Sequence, residues 1–247
     1  MSNLRTTSIP VTDPESGLRM TEIFYSLQGE ALTAGLPTIF VRLTGCPLRC
    51  VYCDTTYSFT GGERLSLDAI MAEIAQYPCK RICLTGGEPL AQPNAIPLMQ
   101  RLLDEGYEIS LETAGALSVA NVPTAVSKVM DIKTPSSGEA DKNLWSNLDY
   151  LTKHDQLKFV IMNREDYDWA KQKLDEYQLD KLVNTVWFSP MFNVHVEALG
   201  DAYASHSPSV DVPNLARELA EWILVDALPV RLQLQLHKII WADAKGK

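Results

Sequence analysis

The sequence predicts an α/β fold, an incomplete TIM-like barrel of about six parallel strands with helices outside it. Short apolar segments of strand length alternate with longer stretches in which apolar residues recur every three or four positions. Such alternation is typical of βαβ units, which build parallel sheets. Because the first clear strand begins only after residue 20, too little chain remains for eight units, and we expect the barrel to stay open.

Seven segments are predicted as strands because they are short, apolar and rich in β-branched or aromatic residues: 38–43, 81–84, 108–111, 128–132, 157–162, 185–188 and 230–236. Three predicted helices lie between them. Their apolar faces are Leu67, Ile70, Met71 and Ile74, then Ile96, Met99, Leu102 and Leu103, then Leu215, Leu219, Trp222 and Ile223. Residues 134–143 and 200–212 are predicted as polar loops, the second of them mobile.

The composition favours one domain that acts on a small molecule. With 247 residues and 46% hydrophobic content, the chain can form one well-buried core, and we interpret 1–247 as a single domain with a polar N-terminal extension at 1–19. The formal net charge of −9 argues against binding to nucleic acid or to an anionic membrane surface. No apolar run reaches the roughly 18 residues of a membrane span, and the N-terminus lacks a secretory pattern, so we expect a cytoplasmic location with reduced thiols.

Three of the five cysteines lie on one predicted loop. Cys46, Cys50 and Cys53 form a C-x3-C-x2-C pattern just after a predicted strand. A structural zinc site normally has four Cys or His ligands, and no histidine lies near this loop in the sequence. An iron–sulfur cubane held by three thiolates leaves one iron open to a small molecule, which favours a catalytic cluster. Cys79 and Cys83 repeat the C-x3-C spacing, but no cysteine is left to complete a second cluster, so they are interpreted as structural.

Glycine or polar residues follow several other predicted strands. The turn Thr85-Gly86-Gly87-Glu88-Pro89 contains two glycines, which let the backbone come close to a ligand. Glu112, Asp131 with Lys133, and Ser189 come at the ends of three further strands. Because the carboxyl ends of parallel strands meet at one rim, we expect these residues to line a common site.

The loop GCPLRCVYCDT resembles the signature of the radical S-adenosylmethionine superfamily, CxxxCxΦC, with Tyr52 at the aromatic position. The resemblance implies a [4Fe–4S] cluster on Cys46, Cys50 and Cys53 and reductive cleavage of S-adenosylmethionine to a 5′-deoxyadenosyl radical. Together with the positions at the strand ends, it leads us to expect contacts to S-adenosylmethionine from Tyr52, Asp54, Gly86, Gly87, Glu88, Glu112, Asp131, Ile132, Lys133 and Ser189.

A longer resemblance, to the 7-carboxy-7-deazaguanine synthase family, runs through nearly the whole chain. It is carried by EIFYSLQGE at 22–30, FVRLTGC at 40–46, CDT at 53–55, the TGGEP turn, KTPSSG at 133–138 and LQLHK at 234–238. This family converts 6-carboxy-5,6,7,8-tetrahydropterin to 7-carboxy-7-deazaguanine with loss of ammonia, a step toward queuosine. By this resemblance, magnesium binds at Thr55, and the substrate binds at Leu27, Gln28, Gly29, Arg42, Thr85 and His237.

The resemblance further implies a homodimer and a flavodoxin or ferredoxin as the electron donor. Two positions depart from the family pattern: Asp131-Ile132-Lys133 stands where many members have Ser-Pro-Lys, and Leu236 stands where threonine is expected. Two alternatives stay open at this point. One is an activase that installs a glycyl radical on a partner protein, and the other is a binding module stabilised by zinc on the three cysteines and a distant histidine.

Overall fold

The computed structural model describes residues 17–192, 212–242, 244 and 246. The described strands are β1 (Leu18–Leu27), β2 (Pro37–Leu43), β3 (Glu63–Leu65), β4 (Arg81–Gly86), β5 (Glu108–Thr113), β6 (Ser127–Asp131), β7 (Gln156–Ile161), β8 (Thr185–Pro190) and β9 (Arg231–Leu232). The predicted N-terminal extension up to residue 16 and the predicted mobile loop up to residue 211 lie outside the described residues.

These strands form one sheet in the order β3-β1-β2-β4-β5-β6-β7-β8-β9. From β2 through β4 to β9 every neighbouring pair is parallel. At one edge, β1 pairs antiparallel with both β2 and β3. The two ends of the order, β3 and β9, do not pair with each other, so the sheet is open. The prediction of an incomplete barrel of parallel strands is confirmed.

The described helices are α1 (Leu67–Ile74), α2 (Ala95–Asp104), α3 (Arg164–Glu176), α4 (Leu179–Leu182), α5 (Val212–Val225) and α6 (Leu236–Trp241). The predicted apolar face of α1 is buried as a whole. In α2 the buried face is rotated toward Ala95 and Leu98, whereas Ile96 and Leu103 of the predicted face are only partly buried. The predicted face of α5 is buried except for the partly buried Trp222.

Several elements differ from the sequence-based prediction. The prediction misses β1 and β3 because charged and half-exposed residues interrupt their apolar pattern. Since β1 begins at Leu18, residues 18 and 19 belong to a strand and not to the predicted N-terminal extension. It misses α3 because only a narrow stripe of that highly charged helix is buried. The predicted strand at 230–236 supplies only the two residues of β9, and the predicted loop at 134–143 contains two short 3-10 turns.

The alternation of side chains along the central strands positions a cavity on one face of the sheet. In β7, Leu157, Phe159 and Ile161 are fully buried in the core, whereas Lys158 and Val160 line the cavity on the opposite face. One contiguous hydrophobic cluster runs through the described part of the chain, and the single-domain interpretation stays a prediction. No described helix has the length and hydropathy of a membrane span.

Candidate active site

A cavity of about 970 Å³ opens where the parallel strands end and the loops after them begin. It is lined by every predicted site residue except Glu88 and Ile132, namely Leu27, Gln28, Gly29, Arg42, Cys46, Cys50, Tyr52, Cys53, Asp54, Thr55, Thr85, Gly86, Gly87, Glu112, Asp131, Lys133, Ser189 and His237. Residues from the amino-terminal, central and carboxyl-terminal parts of the chain therefore share one site.

The cysteine loop follows β2 and is held against the glycine turn after β4. The backbone N–H of Gly87 donates to the carbonyl of Leu43 at 3.0 Å, and that of Glu88 donates to the carbonyl of Gly45 at 2.8 Å. A Cβ at Gly87 would lie 2.2 Å from the Gly45 oxygen and 2.9 Å from the Cβ of Cys46. Only glycine permits this contact, because such separations lie well inside van der Waals distance.

The three thiols come from one loop and line the cavity together. Burial raises the pKa of Cys46, Cys50 and Cys53, in the last case to about 12, although the cation of Lys133 opposes the rise at all three. Among the described residues, no three His, Cys, Asp or Glu side chains come together as a site for one ion. A structural zinc would need such a group, whereas the thiolates of a cubane bind different iron atoms at separate corners.

Glu88 lies outside the cavity because its carboxylate is fully occupied elsewhere. Its two oxygens accept hydrogen bonds from the backbone of Leu90 at 2.9 Å, the hydroxyl of Thr113 at 2.9 Å and the backbone of Ala114 at 2.6 Å. The carboxylate thus ties the end of β4 to the end of β5, and burial raises its pKa. Ile132 also lies outside the cavity, because its side chain packs in the hydrophobic core.

Tyr52 and Asp131 offer polar groups on the side of the cavity next to the cysteines. The Tyr52 hydroxyl is buried without a hydrogen-bond partner in the described part of the chain, so a bound ligand can supply one. Asp131 Oδ2 accepts from Lys133 Nζ at 2.7 Å. Ser189 lies within β8, where its hydroxyl donates to the carbonyl of Gln233 at 3.1 Å. These polar groups fit a ligand such as S-adenosylmethionine.

Arg42 lines the cavity at the end of β2 and is held by acidic and aromatic neighbours. Its Nε donates to Glu22 Oε1 at 2.7 Å, and its guanidinium carbon lies 5.9 Å from the ring centroids of Phe24 and Tyr57. Because the Glu22 contact uses Nε, the edge formed by the two terminal nitrogens can pair with a carboxylate.

Gln28 and Gly29 follow the end of β1, and Gly29 contacts the carboxyl-terminal segment. Gln28 Nε2 donates to Glu112 Oε1 at 3.4 Å, and burial raises the pKa of Glu112. Gly29 packs directly against the ring of His237. The β1–β2 turn and the start of α6 therefore form one wall.

Asp54 and Thr55 provide adjacent oxygen atoms at the cavity surface. The Thr55 hydroxyl donates to Asp54 Oδ1 at 2.7 Å, and Lys238 Nζ lies 3.8 Å from Asp54 Oδ2. Burial opposes ionisation of Asp54, but the cation of Lys238 and the Thr55 hydrogen bond outweigh it and lower its pKa. An ionised carboxylate next to a hydroxyl is a hard oxygen donor set, which suits magnesium.

Lys158, Glu30 and Gln235 also line the cavity, and the sequence-based prediction missed all three as site residues. A lysine in the middle of an otherwise apolar strand is the one sequence signal that marks Lys158. Outside the cavity lining, the buried Cys83 thiol donates to Glu112 Oε1 at 3.6 Å, and the Cys79 thiol donates to the carbonyl of Pro37 at 3.2 Å.

Comparison with known proteins adds the family to this geometry. The family model of the Radical SAM superfamily matches residues 40–128. A 7-carboxy-7-deazaguanine synthase from Koribacter versatilis is 46% identical over 232 residues, which cover 93% of this chain and 100% of the relative. This chain belongs to the 7-carboxy-7-deazaguanine synthase family.

Further relatives agree with this membership. A 7-carboxy-7-deazaguanine synthase from Chlorobaculum tepidum is 39% identical, with 94% of this chain and 98% of the relative covered. The crystal structure of QueE from Escherichia coli superimposes with a TM-score of 0.68 at 22% identity, over 89% of this chain and 94% of that chain, and so shares its fold. Membership of the synthase family confirms the resemblance found in the sequence. The Radical SAM match implies a [4Fe–4S] cluster and S-adenosylmethionine. These relatives give no support to the alternatives of a glycyl-radical activase or a zinc-stabilised binding module.

Proposed function

We propose that this chain is a radical S-adenosylmethionine lyase that converts 6-carboxy-5,6,7,8-tetrahydropterin to 7-carboxy-7-deazaguanine and ammonia. The observation that supports this most strongly is that one cavity is lined by the cysteine loop and by Gln28, Arg42 and His237. Its volume of about 970 Å³ is at the upper end of the range for ligand pockets, about 300–1,000 Å³, and is sufficient for two small molecules side by side.

In this proposal Cys46, Cys50 and Cys53 hold the cluster. When bound, the cluster and S-adenosylmethionine would supply a 5′-deoxyadenosyl radical, the group that would abstract hydrogen from C6 of the pterin. The backbone of Gly86 and Gly87 lies beside the cysteine loop, where it can approach a ligand closely. Glu88 acts indirectly, by fixing Thr113 and Ala114 of the next strand end.

The substrate side is formed by Arg42 and the residues around it. Arg42 pairs with the substrate carboxylate or a ring carbonyl, while Glu22 and the two flanking rings fix the plane of its guanidinium. Gln28 and Thr85 hydrogen-bond to the polar edge of the pterin, and Leu27 provides an apolar contact. His237 closes this side, and burial lowers its pKa, so it offers a neutral imidazole.

Magnesium is proposed to bind at Thr55, with Asp54 beside it. A small dication prefers a few protein oxygens and keeps several waters, so it can also draw in a substrate carboxylate. The lowered pKa of Asp54 supports a negative charge at this point of the cavity. The carboxylate of Asp54 and the hydroxyl of Thr55 thus face the cavity as a pair.

Four further features belong to the proposal: a single domain, a homodimer, a cytoplasmic location, and a flavodoxin or ferredoxin as the electron donor. Light scattering after size exclusion tests the dimer, because a species of only 27.5 kDa would contradict it. Replacing dithionite by reduced flavodoxin or ferredoxin tests the electron donor.

The experiment that tests the proposed function is anaerobic reconstitution with iron and sulfide, followed by metal analysis and a search for the deazapurine by mass spectrometry. We expect bound iron and sulfide, and product only when S-adenosylmethionine is present. Zinc in place of iron, or no deazapurine from the pterin, would contradict the proposal.

A further inference from the structure

Lys158 is a buried charge in the middle of an apolar strand. It is 8% exposed, and its neighbours Leu157 and Phe159 in β7 are fully buried on the opposite face of the sheet. Removing an ammonium from water costs several kcal/mol unless carboxylates compensate for it. Lys158 has two such partners: its Nζ lies 2.9 Å from Glu30 Oε2 and 3.2 Å from Asp131 Oδ1.

Glu30 connects Lys158 to the carboxyl-terminal segment. Its carboxylate also accepts from Gln233 Nε2 at 3.0 Å and from Gln235 Nε2 at 2.7 Å. The same turn is joined to that segment by the backbone of Leu236, which donates to the carbonyl of Gly29 at 3.1 Å. Glu30 therefore holds the wall of the cavity that includes Gly29 and His237.

Asp131 connects Lys158 to a second wall of the cavity. In the parallel register of β6 and β7, Asp131 lies directly across from Lys158. Its second oxygen accepts from Lys133 Nζ at 2.7 Å. Burial alone would raise the pKa of Asp131, but the cations of Lys133 and Lys158 lower it, so the pairs are ionised.

We propose that Lys158 is a positioning residue that fixes the position of two cavity walls relative to each other. One wall is the substrate-side turn 28–30, which Lys158 holds through Glu30, and the other is the cofactor-side segment 131–133, which it holds through Asp131. The assignment of the two walls to substrate and cofactor rests on the proposed function. The coupling between them rests on the two ion pairs alone, so the two ideas can fail separately.

The test compares Lys158→Met with a matched control, Lys128→Met. Lys128 is also a buried lysine in a central strand, paired with Asp155 at 3.0 Å, but it does not line the cavity. Two readouts are measured: hydrogen exchange of residues 28–31 and 233–238 without ligands, and the affinity of the reconstituted protein for S-adenosylmethionine.

We expect Lys158→Met to speed exchange in both segments and to weaken S-adenosylmethionine binding by about tenfold. Lys128→Met should lower Tm but leave both readouts within twofold of the wild type. Unchanged exchange and affinity in Lys158→Met, or equal changes in Lys128→Met, would overturn the proposal. If Lys158→Met does not fold, Lys158→Gln carries the same comparison, because it removes the positive charge from both ion pairs while leaving a polar group beside the two carboxylates. Failure of the wild type to make a deazapurine would overturn the proposed function but would leave the exchange experiment valid.

Discussion

The ring of His237 lies against the backbone of Gly29, so close that a Cβ at position 29 would be 2.1 Å from Nδ1 and 2.9 Å from Cγ. Gly29 is in the β1–β2 turn, and His237 is in the first turn of α6, more than 200 residues later in the chain. The backbone of Leu236 reinforces the contact by donating to the carbonyl of Gly29 at 3.1 Å. This contact brings the end of the described chain into the cavity wall.

Gly29→Ala should displace His237 and impair the proposed reaction. A methyl group at 2.1 Å cannot be accommodated, so the ring has to move. Displacements of about 1 Å can cost about 100-fold, and we expect kcat/KM to fall by about 10- to 100-fold. The control is the same substitution in a His237→Ala background, where it should cost little more. Additive losses in the two variants would contradict the account.

Gly87→Ala should lower the iron content of the reconstituted protein. Its methyl group would overlap the Gly45 carbonyl and the Cβ of Cys46, so the cysteine loop has to shift. Gly106→Ala is the control: Gly106 has a positive φ of 77°, but apart from its chain neighbours no atom of the described residues lies within 4 Å of the added carbon. It should cost about 1–2 kcal/mol of stability from backbone strain and leave the iron content unchanged. Equal iron content in Gly87→Ala and wild type would be inconsistent with the role of this contact.

Thr55→Val should raise the magnesium concentration needed for half-maximal activity by about tenfold or more, because it removes an oxygen donor without changing the size of the side chain. Thr55→Ser keeps the hydroxyl and should stay within a few-fold of wild type. Activity that is independent of magnesium in the wild type, or equal magnesium dependence in both variants, would exclude Thr55 as a ligand.

His237 should titrate below its usual pKa of 6.5 in the ligand-free protein. Burial lowers its pKa, and the nearby carboxylates of Glu30 and Asp54 offset only part of the effect. As the pH falls below 6.5, the unfolded state binds a proton at this residue more readily than the folded state does. The free energy of unfolding therefore has its full value with respect to His237 above pH 6.5 and decreases as the pH falls below 6.5. NMR titration of wild type and His237→Gln measures this. A pKa at or above 6.5 for His237 would contradict the prediction.

The parts of the site that depend on local patterns could be predicted from the sequence. The C-x3-C-x2-C spacing and the TGGEP turn each occupy a few consecutive residues, and the alternation of strands and helices brings both to one rim. The open parallel sheet follows from the same alternation. In this way Cys46, Gly87 and Asp131 could be assigned to one cavity without coordinates.

The remaining features depend on pairings that the sequence does not contain. Lys158 is a site residue because its register against Asp131 and its reach to Glu30 surround it with carboxylates. The segment 230–236 alternates as a strand would, but Gln233 and Gln235 use their side-chain amides to bind Glu30, and pairing with β8 stops after two residues. The Glu88 carboxylate turns away from the cavity because donors from the next strand end occupy it.

The most direct test of the central claim is product formation in an anaerobic assay. The assay contains the reconstituted protein, 6-carboxy-5,6,7,8-tetrahydropterin, S-adenosylmethionine, magnesium and dithionite. A parallel assay uses the Cys50→Ala variant. The account predicts that mass spectrometry detects 7-carboxy-7-deazaguanine with the wild type and none with Cys50→Ala. An absence of the deazapurine with a wild type that has its full iron and sulfide content, or equal product from the Cys50→Ala protein, would contradict it.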